Sequence, residues 1–199
     1  MADRRRSKRM RPYGLIVAYI WLAFAVVWAV TALRAKRTLQ THWLNSWRAR
    51  VIVAVLVLAV LAIRRYLFHA RGPDFISGVI ANPALNIAGL VLAAVGIGVA
   101  VWARLYLGRN WGMPMSVKEN AELVTTGPYA YVRNPIYAGI ALATLGSALI
   151  DWWWAVFLAC AVAYFVYSAK VEERILLREF PDSYPAYKAR TKSLIPFVY

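Results

Sequence analysis

The chain has 199 residues, is 61% hydrophobic and 17% charged, and carries 24 Lys and Arg against 9 Asp and Glu, for a net charge of +15. Soluble domains are roughly 45–50% apolar; the excess here is gathered in long runs, which excludes an ordinary soluble domain and points to a membrane protein. The basic residues fall mostly between those runs, where they suit anionic lipid and topology signals better than nucleic acid.

The N-terminal "MADRRRSKRMR" is a basic tail suited to a lipid surface. Tyr13 to Leu33 is uncharged and long enough to span a bilayer. It exceeds the ~7–15 apolar residues of a signal peptide, so a retained helix is expected. Trp43 and Trp47 in the following connection suit the bilayer interface. Val51 to Ile63 is a second apolar run, short unless Arg64 and Arg65 snorkel. Breaks at Gly72-Pro73 and Asn82-Pro83 lead to a third run, Ala84 to Ala103, whose Gly89, Gly96 and Gly98 permit close helix packing. Arg104 to Asn134 is the longest polar stretch between apolar runs. Ile136 to Ile150 and Trp152 to Tyr167 are separated only by Asp151, which predicts an antiparallel helical hairpin. Ser168 to Tyr199 is charged and aromatic, and is expected to be cytosolic or interfacial.

The expected fold is therefore all-α: a polytopic membrane protein with about five transmembrane helices, including the C-terminal hairpin. It divides into a basic tail (1–12), three membrane helices (13–103) and a C-terminal half (104–199) made of a cytosolic loop, the hairpin and a cap. The hairpin puts 104–134 and the C-terminal tail on one side. With five spans, 34–50 joins them, placing 15 Lys and Arg there against nine on the other side. The positive-inside rule makes the first side cytosolic. The basic N-terminus opposes this; four spans plus one interfacial helix would remove the conflict. The single cysteine, Cys160, excludes an intrachain disulfide. His42 and His69 are far apart with no Cys/His cluster near either, so no metal site is expected.

Chemistry concentrates in the second half. "GPYAYVRNPIYAG" contains a turn at Gly127-Pro128 and a helix start at Asn134-Pro135, with Asn a favoured N-cap and Pro tolerated at the first helical position. A helix entrance alone leaves Arg133, Tyr137 and Gly139 unexplained. Free N–H groups at the helix start, with Arg133 adjacent, suit a carboxylate or phosphate. Tyr137 adds a hydroxyl, and Gly139 allows close approach of a ligand or another helix. In "KVEERILLREF", Glu172 and Glu173 stand where the last membrane helix emerges. They read either as solvated charges or as a site for a cation. The hairpin brings the two segments to one mouth, which would fit a zwitterion. In "FPDSYPAYKARTKSLIPFVY", Asp182 or Ser183 can cap a short helix holding Tyr184, Tyr187 and Arg190. That piece reads as an interfacial tail or as a lid.

Taken together, the ordered motifs "GPYAYVRNPIYAG", "EER" and "YPAYKARTKSLIP" resemble the isoprenylcysteine carboxyl methyltransferase family of integral membrane enzymes, over about half the chain. The usual His of that family is Asn134 here, which cannot titrate near pH 7. Asn-Pro-x-Tyr also looks like the related phosphatidylethanolamine N-methyltransferases. The resemblance implies S-adenosylmethionine as cofactor, bound without a Rossmann fold, and the chain has no strand-framed G-x-G-x-x-G. By position, Arg133, Asn134, Pro135 and Tyr137 would hold its amino acid end. Glu172 and Glu173 would face its cationic or ribose parts, and Tyr184 and Tyr187 its adenine. The acceptor would be a lipophilic small molecule or lipid entering from the bilayer. A carboxylate acceptor could be oriented by Lys170 or Arg178, with Arg190 also near the substrate. An amine acceptor would give its proton to Glu172 or Glu173. The alternatives are a phospholipid N-methyltransferase and, from another class, a non-enzymatic membrane anchor or transport subunit.

Overall fold

A computed structural model describes residues 2–32, 38–41, 62, 80, 82–110, 116–118 and 122–195. Five helices carry the fold: α1 (Ala2–Ala32), α2 (Pro83–Leu107), α3 (Pro135–Ala148), α4 (Trp154–Glu179) and the short α5 (Tyr184–Arg190). Two short strands, β1 (Thr38–Thr41) and β2 (Ser116–Lys118), pair antiparallel, with Thr38 opposite Lys118 and Thr41 opposite Ser116. Three stretches, Pro12–Thr31, Pro83–Leu107 and Trp154–Glu179, are long and apolar enough to cross a membrane. The 14 residues of α3 rise only about 21 Å, short of a ~30 Å hydrocarbon core. Apart from Ala62, the run Val51 to Ile63 lies outside the described residues, as do His42, Trp43, Trp47 and His69.

Local chemistry sets the helix ends. The Asn82 side chain accepts from the N–H groups of Ala84 (3.0 Å) and Leu85 (3.3 Å), with Pro83 in the first turn. The break expected at Asn82-Pro83 is thus a capped helix start. One expected end was placed too early. Arg104 was expected to open a polar loop, but it lies in the last turn of α2, which runs on to Leu107. The apolar run of the second hairpin helix ends at Tyr167, and the helix itself continues past Glu172 and Glu173 to Glu179. Lys170–Glu179 is rich in Glu, Arg and Leu and contains no breaker before Pro181, so the helix has no local reason to end.

The tightest packing lies between α2 and α3. Small residues at 89, 93, 96 and 100 share one face of α2 and meet Gly139, Ala143 and Gly146 on α3. A Cβ added at Gly96 would stand 2.4 Å from the Ala143 nitrogen; one at Gly146 would stand 2.5 Å from the Ala93 nitrogen and the Gly89 carbonyl. The backbones touch, as small-residue seams allow where lipid gives no hydrophobic drive to pair helices. Gly139 therefore receives a helix, at Gly96 and Ala100. Gly98, expected to join this packing, has nothing within 4 Å of its would-be Cβ.

The contacts order the ends of the bundle. Gly89 faces Gly146 and Gly96 faces Gly139, so α2 and α3 are antiparallel. Arg104 Nη2 donates to the Thr31 carbonyl at 2.6 Å, so α1 and α2 end side by side and run parallel. Ile80 donates its N–H to the Ile150 carbonyl at 2.9 Å, in the turn between α3 and α4. Thr41, on the strand that follows α1, and Ile80 thus stand at opposite ends of the bundle. Nearer that turn, Trp21 ties α1 to the hairpin: its Nε1 donates to Ser147 Oγ at 3.1 Å and its ring stacks on Trp154.

Candidate active site at the mouth of the hairpin

The start of α3 and the last turns of α4 share one end of the bundle, and α5 with the tail covers it. Along α4, Phe165, Ser168 and Ala169 are buried and Glu172 half-buried. This i, i+3, i+4, i+7 spacing is one helical face, and it aims Glu172 at α3. The Tyr137 hydroxyl donates to Glu172 Oε1 at 2.5 Å. The Tyr137 ring stacks on Phe165, with centroids 4.7 Å apart and planes at 10°. Both rings belong to a buried cluster with Ala103, Tyr129 and Ile136.

Glu173, one residue on, is rotated about 100° around the helix and reaches different partners. Its Oε1 accepts from Lys188 Nζ at 2.6 Å, and its Oε2 from Arg133 Nη2 at 3.4 Å. Arg133 also donates from Nη1 to the Lys188 carbonyl at 3.2 Å and to the Thr191 carbonyl. It therefore caps the C-terminal end of α5 while pairing with α4. The backbone adds a parallel bridge between Val132 and Lys192: the Arg133 N–H reaches the Lys192 carbonyl at 2.8 Å, and that of Asn134 the Ser193 carbonyl at 3.0 Å.

Asn134 is the N-cap residue of α3, as its place before Pro135 suggested, but its side chain makes no capping bond. Its amide donates instead to the Ser193 carbonyl (3.1 Å) and Oγ (3.3 Å), holding the tail. Ser183 likewise stands at the N-cap of α5 without a side-chain bond. Tyr184 and Tyr187 are buried beneath α5. The Tyr187 hydroxyl donates to the Tyr129 carbonyl at 2.7 Å. Burial pushes both phenols from 10.0 up to about 12, against the lowering effect of nearby Arg133. The Tyr129 hydroxyl donates to the Ala103 carbonyl at 3.4 Å, and burial drives it well above the usual phenol range. The turn before it needs Gly127: φ is +58° and a Cβ would lie 2.6 Å from the Tyr106 ring.

The structure thus gathers Arg133, Asn134, Pro135, Tyr137, Glu172, Glu173, Tyr184 and Tyr187 at one mouth. The three proposed substrate cations lie on the exposed surface. Lys170 and Arg178 are exposed on α4, and Arg190 is exposed on α5 with its guanidinium 5.8 Å from the Tyr187 ring centre. Sequence reasoning passed over Lys188, Ser193 and Tyr129. Only Tyr129 carried a signal, as the third residue of the Gly-Pro-Tyr turn. Among the described residues, no three His, Cys, Asp or Glu side chains gather as a metal-ligand set.

Fold and mouth together define a helical membrane protein whose charged and hydrogen-bonding groups converge at one end of a C-terminal hairpin. Residues 85–183, about half the chain, match the phospholipid methyltransferase family, and the chain belongs to this group of membrane proteins. It is 30% identical over 163 residues to the nickel-cobalt-cadmium resistance protein of Alcaligenes xylosoxydans xylosoxydans, covering 79% of the chain and 66% of that protein, just under two thirds of its length. It is 33% identical over 101 residues to the protein-S-isoprenylcysteine O-methyltransferase of Schizosaccharomyces pombe, covering 48% of the chain and 43% of that enzyme. Over 69 residues it is 35% identical to methanethiol S-methyltransferase 1 of Bradyrhizobium diazoefficiens, covering 35% of the chain and 24% of that protein.

Proposed function

We propose that this chain is an S-adenosylmethionine-dependent methyltransferase acting at the membrane on a lipophilic acceptor, with a carboxylate as the leading acceptor class. The observation that carries the reading is the pairing of Tyr137 with Glu172 at a mouth that also holds Arg133 and Glu173. The Tyr137 hydroxyl donates to Glu172 Oε1 and so orients this side chain at the mouth, a placement that suits a sulfonium or an ammonium group. S-adenosylmethionine, when bound, supplies an electrophilic methyl group on sulfur.

The residues present fit such a ligand. Glu172 would face its cationic part, with Glu173 toward the ribose. The first turn of α3, with Arg133, Asn134, Pro135 and Tyr137, would hold the amino acid end. Tyr184 and Tyr187 would flank the adenine. Arg133 would reach a ligand carboxylate beside its present bonds to Glu173 and to the Lys188 and Thr191 carbonyls. For a carboxylate acceptor, already ionised, the protein's task is positioning and exclusion of water. A cation such as Lys170 or Arg178 could orient it from α4. The family match favours a second reading, phospholipid N-methylation. There Glu172 or Glu173 would accept the proton an amine must lose.

The mouth and the C-terminus are assigned to the cytosol on the distribution of Lys and Arg. The apolar run Val51 to Ile63 is proposed as a further crossing, consistent with Thr41 and Ile80 lying toward opposite ends of the bundle. That would make five spans.

The test is titration of the purified protein in detergent with S-adenosylmethionine and with its demethylated product. Saturable binding is expected; no binding above background would sink the methyltransferase reading. Transfer of a labelled methyl into extracted lipids then separates the two acceptor classes. A base-labile label marks an ester and a base-stable one an amine.

A further inference from the structure

We infer that Trp28 of α1 sets the acceptor specificity of this site, by forming the wall against which a long prenyl or acyl chain lies; the inference rests on the methyltransferase reading above. Four observations converge on this residue. Trp28 is half-buried and packs against the cluster that holds Tyr137 and Phe165. Tyr137 is in turn bonded to Glu172, so a continuous path runs from the carboxylate at the mouth, through the stacked rings, to α1. The indole is held in place: Phe24 lies 4.8 Å from it between ring centres, and the Arg104 guanidinium lies 5.8 Å away. Arg104 is itself fixed by bonds to the Thr31 and Gly108 carbonyls. A wall whose own rotamer is locked can discriminate shape.

The surroundings select the ligand class. Leu22, Val26 and Val30 of α1 expose their side chains, as lipid-facing residues do. A chain-bearing acceptor can lie along this helix in the bilayer and meet Trp28 where α1 touches the cluster. A short acceptor has no such contact. α1 also lies outside residues 85–183, the stretch that matches the family. Arg133, Asn134, Pro135, Tyr137, Glu172 and Glu173, proposed above to hold the methyl donor, come from the shared stretch. A wall added from α1, outside it, is where one acceptor can be told from another.

The experiment compares wild type with Trp28→Ala, Trp28→Phe and the lipid-facing control Val26→Ala, using an S-prenyl cysteine carboxylate and its S-methyl analogue as acceptors. Loss of a hydrophobic wall is expected to lower kcat/KM for the prenyl acceptor by about tenfold or more in Trp28→Ala, mostly through KM, and less in Trp28→Phe. Turnover of the S-methyl analogue and the S-adenosylmethionine Kd are expected to stay within about twofold of wild type. An equal fall for both acceptors, or no change for either, overturns the inference. A prenyl carboxylate with a diazirine at its tail gives an arm that needs neither a variant nor the methyl donor. Labelling of the α1 peptide around Trp28 supports the wall even in a protein that binds no S-adenosylmethionine, an outcome that sinks only the methyltransferase reading. Labelling confined to other helices overturns the wall.

Discussion

The α2–α3 seam and the cap over the mouth are joined by opposite means. The seam is made by leaving side chains out: Gly89, Gly96, Gly139 and Gly146 let two backbones meet inside the membrane. The cap is made by putting polar groups in: Arg133, Asn134, Glu173, Lys188 and Tyr187 stitch α5 and the tail to the hairpin. One contact cannot loosen by degrees, because any added atom collides. The other is a set of separate bonds that can open one at a time. A scaffold that must not move and a cover that has to admit a ligand would need this division.

The contrast can be broken at the seam first. Gly96→Leu forces a Cβ into the Ala143 backbone and is expected to cost about 3 kcal/mol or more, at or beyond the upper end for overpacking. Gly98→Leu, on the same helix but facing open space, should stay within about 0.5 kcal/mol. Yields of monodisperse protein and thermal unfolding in detergent would show it; equal behaviour of the two variants would refute the seam.

Arg133→Ala comes next. Removing a donor to two carbonyls and a carboxylate should destabilise the cap by about 1.5–3 kcal/mol. Arg133→Lys should not rescue it, because an ammonium lacks the planar fork. Faster proteolysis beyond Glu179, with the hairpin intact, is the expected signature.

Alkali should act on the cap first. Burial raises the Tyr184 and Tyr187 phenols to about 12. Between pH 10 and 12 the unfolded chain loses protons that the folded one keeps. Their contribution is complete below pH 10 and is lost as pH rises through 12. Tail opening measured by hydrogen exchange should rise over that window, and should do so less in Tyr184→Phe.

The smallest effect belongs to Lys188→Ala. The Lys188–Glu173 bridge is partly exposed, so its loss should cost at most about 1 kcal/mol and vanish at high salt. A large, salt-independent loss would make Lys188 part of the buried network instead.

Much of this arrangement was legible in the residues. The single Asp151 between two apolar runs announced the hairpin, and Asn134-Pro135 announced the start of α3. Both signals are local. The division of labour between Glu172 and Glu173 was not legible. The apolar run ends at Tyr167, so the next twelve residues read as tail, although the helix carries its buried face on through Glu172. Arg104 was misread because an arginine closing an apolar run usually snorkels to water. Here it is 1% exposed, since the carbonyl ends of two neighbouring helices need a donor. Asn134 shows the same limit: its type and place marked a cap, and only the tail folding back gave its side chain another acceptor.

Arg133 carries one further consequence. Its guanidinium is already engaged by Glu173 and by the carbonyls of Lys188 and Thr191. A ligand carboxylate that took over one of these N–H groups would compete with the tail for it. Ligand affinity and tail closure would then be linked quantities, each weakened by what strengthens the other. By reciprocity, the factor by which opening the tail tightens ligand binding would equal the factor by which bound ligand favours the open tail.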